Sequence, residues 1–110
     1  MQRLNSLERP KSRTRMQIVG QLLKIAMTPV LKTHMMYKAN LSHSMTNYYV
    51  KILCEAGLLE ETFDENRILK LYRVTPKGMK YLEICGSIEK ILGIESNKPN
   101  YSPTNIFVSL

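Results

Sequence analysis

The 110 residues suffice for one small domain with a modest core, and not for two. An apolar fraction of 44% is that of an ordinary globular domain, while a formal charge of +7 makes an anionic partner the first expectation. No apolar run approaches the roughly 20 residues of a membrane span, and the start, MQRLNSLERPKSRTR, lacks the apolar stretch of a secretory signal. As an organelle transit peptide it would be short, and it contains Glu8.

Cys54 and Cys85 are too few for a disulfide framework and suit a reducing cytoplasm. Neither belongs to a CxxC pair, and His34 and His43 do not fall at zinc-ligand spacing from them. Both thiols read as small, semi-apolar helix residues, and no metal or cofactor is expected. The charge is unevenly placed. Residues 1–16 carry five bases against Glu8, and residues 17–57 carry four lysines against Glu55. Residues 58–74 are slightly acidic, and the rest is close to balanced.

Residues 1–12 contain Pro10 and no hydrophobic period, so they are expected as a flexible basic arm. Beside a groove-binding motif they would serve as a strap over phosphates; otherwise they are a solubilising tail. A first helix is predicted from Thr14 to Met27, capped by Ser12 or Thr14, because Ile18, Val19, Leu22, Leu23, Ile25 and Ala26 recur at three- and four-residue steps. Pro29 ends the pattern. A second helix starts between Leu31 and Thr33 and closes at Ala39, with Asn40 in left-handed geometry. Leu31, Met35, Met36 and Ala39 would form its inward face. Leu41 plugs the turn, and Ser42 caps a third helix from His43 to about Ala56, stopped by Gly57. On helical spacing, Met45, Tyr49, Ile52, Leu53 and Ala56 are expected to face the core. His43, Ser44, Asn47 and Lys51 face outward, with Tyr48 and Glu55 at the rim and Cys54 partly exposed.

After Gly57 the period changes. Leu58 to Phe63 and Ile68 to Val74 read as two strands joined by the polar turn Asp64-Glu65-Asn66-Arg67. Thr75 then caps a last helix with Pro76 at its first position, running to about Leu92 or Ile94. Residues 95–110 look irregular, although Ile106, Phe107 and Val108 are apolar. The expected fold is α+β, mostly α: a winged helix-turn-helix of three helices, a two-stranded wing and a C-terminal helix. It would occupy residues 13–94 between the arm and the tail.

Several blocks in this order resemble a known family. Lys32-Thr33, Met36-Tyr37, Ala39-Asn40-Leu41-Ser42, Gly57-Leu58-Leu59, Tyr72, Thr75, Lys77-Gly78 and Tyr81-Leu82 look like the archaeal winged-helix family of small basic chromatin-associated and regulatory proteins. The likeness covers about residues 14–92. It implies DNA binding without catalysis, and dimerisation through the last helix as an antiparallel coiled coil. That helix is typically long in the family and shorter here.

A helix fits the major groove and reaches base edges from its N-terminal end. The candidate base contacts are therefore His43, Ser44, Asn47 and Tyr48. Asn47 suits a bidentate bond to adenine, whereas Ser44 suits several bases. The alternative is a merely solvated polar face. Phosphate contacts carry most of the affinity. Lys32 and Thr33 stand at a helix start where free N–H groups also favour an anion. Lys38, Lys51, Arg13 and Arg15 are further candidates. Arg67 is the one base in the wing turn, beside Asp64 and Glu65, so the wing is expected to contribute weakly; Lys70 and Arg73 on its strand are better placed. Tyr81, Ile84, Ile88 and Ile91 are spaced three, four and three, as in a coiled-coil seam. They either cover the first helix of the same chain or meet a second copy. A strip this wide on a terminal helix favours the homodimer.

The reading is a dimeric double-stranded DNA-binding protein, transcriptional regulator or chromatin protein, located in the cytoplasm on the nucleoid. The alternative is a winged helix that serves as a protein-interaction module in a larger assembly, since fold alone does not decide. An enzyme is not expected, for want of a Gly-rich phosphate loop, of paired carboxylates in an apolar setting and of a nucleophile–base motif.

Overall fold

The structure, a computed structural model, describes residues 13–93. The sequence expectations for residues 1–12 and 95–110 lie outside the described residues. The described chain forms four helices and one hairpin: α1 (Arg15–Ile25), α2 (Lys32–Ala39), α3 (His43–Glu55), β1 (Leu59–Phe63), β2 (Lys70–Val74) and α4 (Pro76–Leu92). This is the winged helix-turn-helix architecture expected from the sequence.

Local chemistry sets most of the boundaries. At the start of α1, Thr14 and Gln17 cap each other reciprocally: the Gln17 N–H donates to Thr14 Oγ1 at 3.1 Å, and the Thr14 N–H donates to Gln17 Oε1 at 2.8 Å. Asn40 closes α2 with φ 55°, and the Leu41 N–H reaches back to the Met36 carbonyl at 3.0 Å. Ser42 Oγ then accepts from the Met45 N–H at 3.1 Å and caps α3. Gly57, at φ 79°, lets the Leu58 N–H bond the Leu53 carbonyl at 2.8 Å and ends α3. Thr75 Oγ1 accepts from the Gly78 N–H at 3.0 Å and opens α4.

The core joins Ile18, Val19, Leu22 and Leu23 of α1 to Met35 and Ala39 of α2, to Tyr49, Val50 and Leu53 of α3, and to Leu59, Tyr72 and Val74 of the hairpin. Leu22 and Leu23 are wholly buried, a contribution of about 1.5–3 kcal/mol each. In α2, Met35 and Ala39 are buried as expected, Met36 is half-buried and Leu31 is exposed. The strands pair antiparallel from Leu59↔Val74 to Phe63↔Lys70. The sheet also has a third participant that the sequence did not announce. Val30 exchanges both backbone bonds with Tyr72, at 3.0 and 2.8 Å, and the Val74 N–H donates to the Ala26 carbonyl at 2.9 Å. One residue between Pro29 and Leu31 is too short a run to show a strand period.

The face that α3 turns inward differs from the one expected. Thr46, 1% exposed, and Val50 are buried beside Tyr49 and Leu53, while Met45 is 40% exposed and Ala56 is also exposed. The reason is a satisfied hydroxyl: Thr46 Oγ1 donates to the Ser42 carbonyl at 2.8 Å. A threonine so bonded loses no hydrogen bond on burial, so the stripe through residues 46, 49, 50 and 53 takes the core.

α4 packs on α1 through Tyr81 and Leu82 and is held to the hairpin at its first turn. Gly78 is its one buried residue among those described. A Cβ there would stand 2.5 Å from the Leu58 carbonyl oxygen and 2.6 Å from Val74 Cγ2, so the close approach of α4 to the hairpin requires glycine. Lys77 Nζ also donates to the Ala56 carbonyl at 2.7 Å, tying the helix to the end of α3.

Candidate nucleic-acid interface

With α3 turned this way, its outward line is Ser44, Tyr48, Lys51 and Glu55, all exposed and spaced four, three and four. Tyr48, expected at the rim, stands near the middle of that line, its ring edge-on to Tyr49 at 5.2 Å. Asn47 moves to one flank and is half-buried, and its amide lies 3.2 Å from His43 Nδ1. Ser44 Oγ is 3.4 Å from Ser42 Oγ. Met45 occupies the other flank. Sequence reasoning assigned it to the core; the signal for the opposite choice was Thr46, whose hydroxyl has a carbonyl four residues back to bond. The four candidate base-contacting side chains thus share the N-terminal half of one helix, joined there by an exposed methionine suited to an apolar contact.

The bases are distributed around this helix. The first two turns of α3, from His43 to Val50, contain no lysine or arginine. Lys51 follows one turn on, and Lys38 stands in the last turn of α2; both are exposed and take part in no ion pair among the described residues. Lys32 and Thr33 open α2, whose first turn has no side-chain cap, so its N–H groups remain available to an anion. Lys32 lies toward the C-terminal half of α3, near Cys54 and the hairpin. Burial pushes the Cys54 thiol upward, Glu61 adds to that shift, and Lys70 and Lys32 oppose it. Cys54 itself packs half-buried against the core.

Two expected phosphate contacts look different in the structure. The Arg13 guanidinium is turned inward: Nη1 donates to Gln21 Oε1 at 2.7 Å and to the Ala39 carbonyl at 2.6 Å, and Nη2 donates to the Asn40 carbonyl at 3.1 Å. It neutralises the negative end of α2. Arg67 is exposed at the wing tip with φ 59°. Its turn is built around Asp64, whose Oδ1 accepts from the Ile68 and Leu69 N–H groups at 2.8 and 2.9 Å. The strand bases are also engaged. Arg73 donates to Glu60 Oε2 through Nε at 3.0 Å and Nη2 at 2.6 Å, and Lys70 stands 3.7 Å from Glu61. Arg15 is exposed at the start of α1.

The expected seam on α4 divides. Ile84, Ile88 and Ile91 are exposed. Tyr81 instead packs against the domain's own core and donates to the Met16 carbonyl at 3.4 Å. Burial, then the neighbouring Cys85, pushes its hydroxyl pKa up to about 12. Among the described residues, no cluster of His, Cys, Asp and Glu could hold a metal ion, and no helix is long and apolar enough to cross a membrane.

Comparison with known proteins gives a single family. The sequence profile of winged helix-turn-helix proteins matches residues 12–93. Among solved structures, the DNA-binding protein Sso10a-2 from Sulfolobus solfataricus is similar at 23% identity, with 74% of this chain and 83% of that one covered and a TM-score of 0.63. The transcriptional regulator BldR from the same organism is similar at 20% identity, with 73% of this chain and 63% of that one covered and a TM-score of 0.59. MepR, a transcription regulator of the Staphylococcus aureus multidrug efflux pump MepA, shares 16% identity over 69% of this chain and 58% of its own, with a TM-score of 0.61. The chain spans less than two thirds of the length of the latter two. At these identities the likeness is one of fold. No curated protein matches the chain.

Proposed function

The chain belongs to the winged helix-turn-helix family, and we propose that it is a double-stranded DNA-binding protein, acting as a homodimeric regulator or chromatin protein of the cytoplasmic nucleoid. The observation that carries this reading is the outward face of α3. It offers Ser44, Asn47 and Tyr48 as hydrogen-bonding groups at the end that enters a major groove, with Lys51 behind them. Lys32 and Thr33 at the uncapped start of α2, Lys38 and Arg15 supply phosphate contacts. The fold relatives include a protein described as DNA-binding and two transcription regulators, which agrees with the proposal. The isoleucine row on α4 supports a two-fold dimer, in which two copies of α3 would read a roughly palindromic site. No catalytic role is assigned.

The test is an anisotropy titration on duplex DNA over a range of salt concentrations. Affinity is expected to fall steeply with salt, and Lys32→Ala to flatten the log–log slope by roughly 0.9. An absence of binding at low salt would reject the proposal.

One feature favours a second reading, a protein-interaction module. The wing's strand charges neutralise one another, and its tip exposes Phe63, Ile68 and Leu69. An apolar tip on a slightly acidic hairpin whose strand charges are paired suits a protein surface better than a phosphate-lined groove. If duplex DNA is not bound, Ile68→Glu becomes the variant to test against candidate assemblies.

A further inference from the structure

The first two turns of α3, from His43 to Val50, contain no lysine, arginine, aspartate or glutamate. In a major groove that composition has a consequence for the bases read. Guanine presents two acceptors, N7 and O6, whose common reader is arginine or lysine. Cytosine presents an amine, which a carboxylate accepts from. Lys51 and Glu55 follow only in the C-terminal half of α3, behind the end that reaches base edges. Lys38 is exposed nearby, but it ends α2, the helix that crosses the backbone in this motif and meets phosphate. Neither guanine nor cytosine therefore finds its strongest partner at the reading end.

The groups that are present there fit adenine and thymine. The Asn47 amide nitrogen lies 3.2 Å from His43 Nδ1. An amide nitrogen only donates, so one of its two N–H groups is given to the imidazole, which fixes the orientation of the amide. The second N–H and the carbonyl oxygen form an adjacent donor and acceptor. Adenine offers their complement, N7 beside the N6 amine, whereas guanine would set O6 against the carbonyl oxygen. Met45 adds an apolar contact. Thr46 takes the core position through its bond to Ser42, which leaves Met45 40% exposed. Among base edges in the major groove, the apolar group is the C5-methyl of thymine. Two residues apart on a helix, Met45 and Asn47 lie on opposite flanks and meet different base pairs. Ser44 and Tyr48 carry hydroxyls that both donate and accept, so they suit either kind of pair.

We propose that α3 selects A·T base pairs: Asn47, oriented by His43, bonds an adenine, and Met45 packs on the methyl group of a thymine at another pair. This inference rests on the DNA-binding reading and names the class of sequence that α3 takes.

The test starts with selection of bound duplexes from a randomised pool by the full-length protein. The enriched positions are expected to be A·T. The enriched duplex is then made with deoxyuridine in place of one thymidine at a time, which keeps the pairing and removes the methyl group. At one position the wild type should bind about fourfold more weakly, the worth of a single methyl-sized apolar group. Met45→Ala should bind the two duplexes alike, with its circular dichroism unchanged. Asn47→Ala should keep the uracil penalty and lose the preference for adenine. Enrichment of G·C pairs, a wild type indifferent to uracil at every position, or a Met45→Ala variant that keeps the penalty would each overturn the proposal. Should Met45→Ala fail to fold, Met45→Gln, of similar length, takes its place with the same expectations. A protein that binds the pool without enriching any sequence retains the DNA-binding reading and loses this one. A protein that binds no duplex at low salt loses both.

Discussion

α3 and α4 each leave one face in solvent, and the two faces have opposite chemistry. α3 buries Thr46, Tyr49, Val50 and Leu53 in the domain core and exposes Ser44, Tyr48, Lys51 and Glu55. α4 buries only Gly78 among its residues and exposes Ile84, Ile88 and Ile91 at 52%, 40% and 82%. The first face is already well solvated, so a partner there must offer hydrogen bonds and charge, as a groove edge does. The second is poorly solvated, and covering it would contribute, at each isoleucine, the part of about 1.5–3 kcal/mol that corresponds to the area still exposed. One domain thus leaves a polar helix face and an apolar helix face in solvent.

The comparison breaks most visibly at the apolar face. Ile88→Glu places a charge in the middle of the row and is expected to halve the mass seen by light scattering while leaving the helical circular dichroism intact. A mass unchanged from that of a dimeric wild type would place the contact between copies elsewhere than on this row. Next comes the anchor that holds α4 in place. Gly78→Ala forces a methyl against the Leu58 carbonyl and Val74 Cγ2 and is expected to cost about 1–3 kcal/mol in urea unfolding. An unchanged midpoint would show that α4 can slide without loss.

On the polar face, Asn47→Ala should relax preference by about 1–3 kcal/mol at a single base position, with little effect on unfolding. Equal loss on every sequence would limit Asn47 to a backbone contact. The smallest expected effect concerns the edge of the α4 face that turns inward. The Tyr81 hydroxyl is raised to about 12 in the folded chain, by burial first and by Cys85 second. Its neutral form is therefore favoured by folding, and the associated stability is present below pH 10 and is lost as the pH rises from 10 toward 12. A Tyr81→Phe variant should remove a tyrosinate absorbance step near about pH 12. Loss of a step at about pH 10 instead, the ordinary value for tyrosine, would place Tyr81 in solvent, on the seam with the isoleucines.

The elements were legible because their ends are written locally. Thr14 with Gln17, Asn40, Ser42, Gly57 and Thr75-Pro76 each act within a few residues, so the four helices and the hairpin followed from the sequence with small shifts at their ends. The candidate site was legible by region and less so by face. A hydropathy ranking prefers Met45 to Thr46 for the core, and only the bond from Thr46 to Ser42 reverses that order. Arg13 read as a free base because no sequence rule shows that the end of α2, twenty-six residues on, will come to lie beside it.

The sequence by itself determined a small basic helix-turn-helix with a hairpin and a terminal helix, and it located the polar half of α3. Short-range hydrogen bonds and the 3.6-residue period suffice for that. The tertiary structure decided which bases remain available, since Arg73 and Glu60 meet only when β1 and β2 pair. It also decided that Arg13 caps α2, that Val30 joins the hairpin, and that α4 keeps its isoleucines outside the core. Each of these depends on a contact between distant residues, whose closure becomes favourable only after the core has brought the elements together.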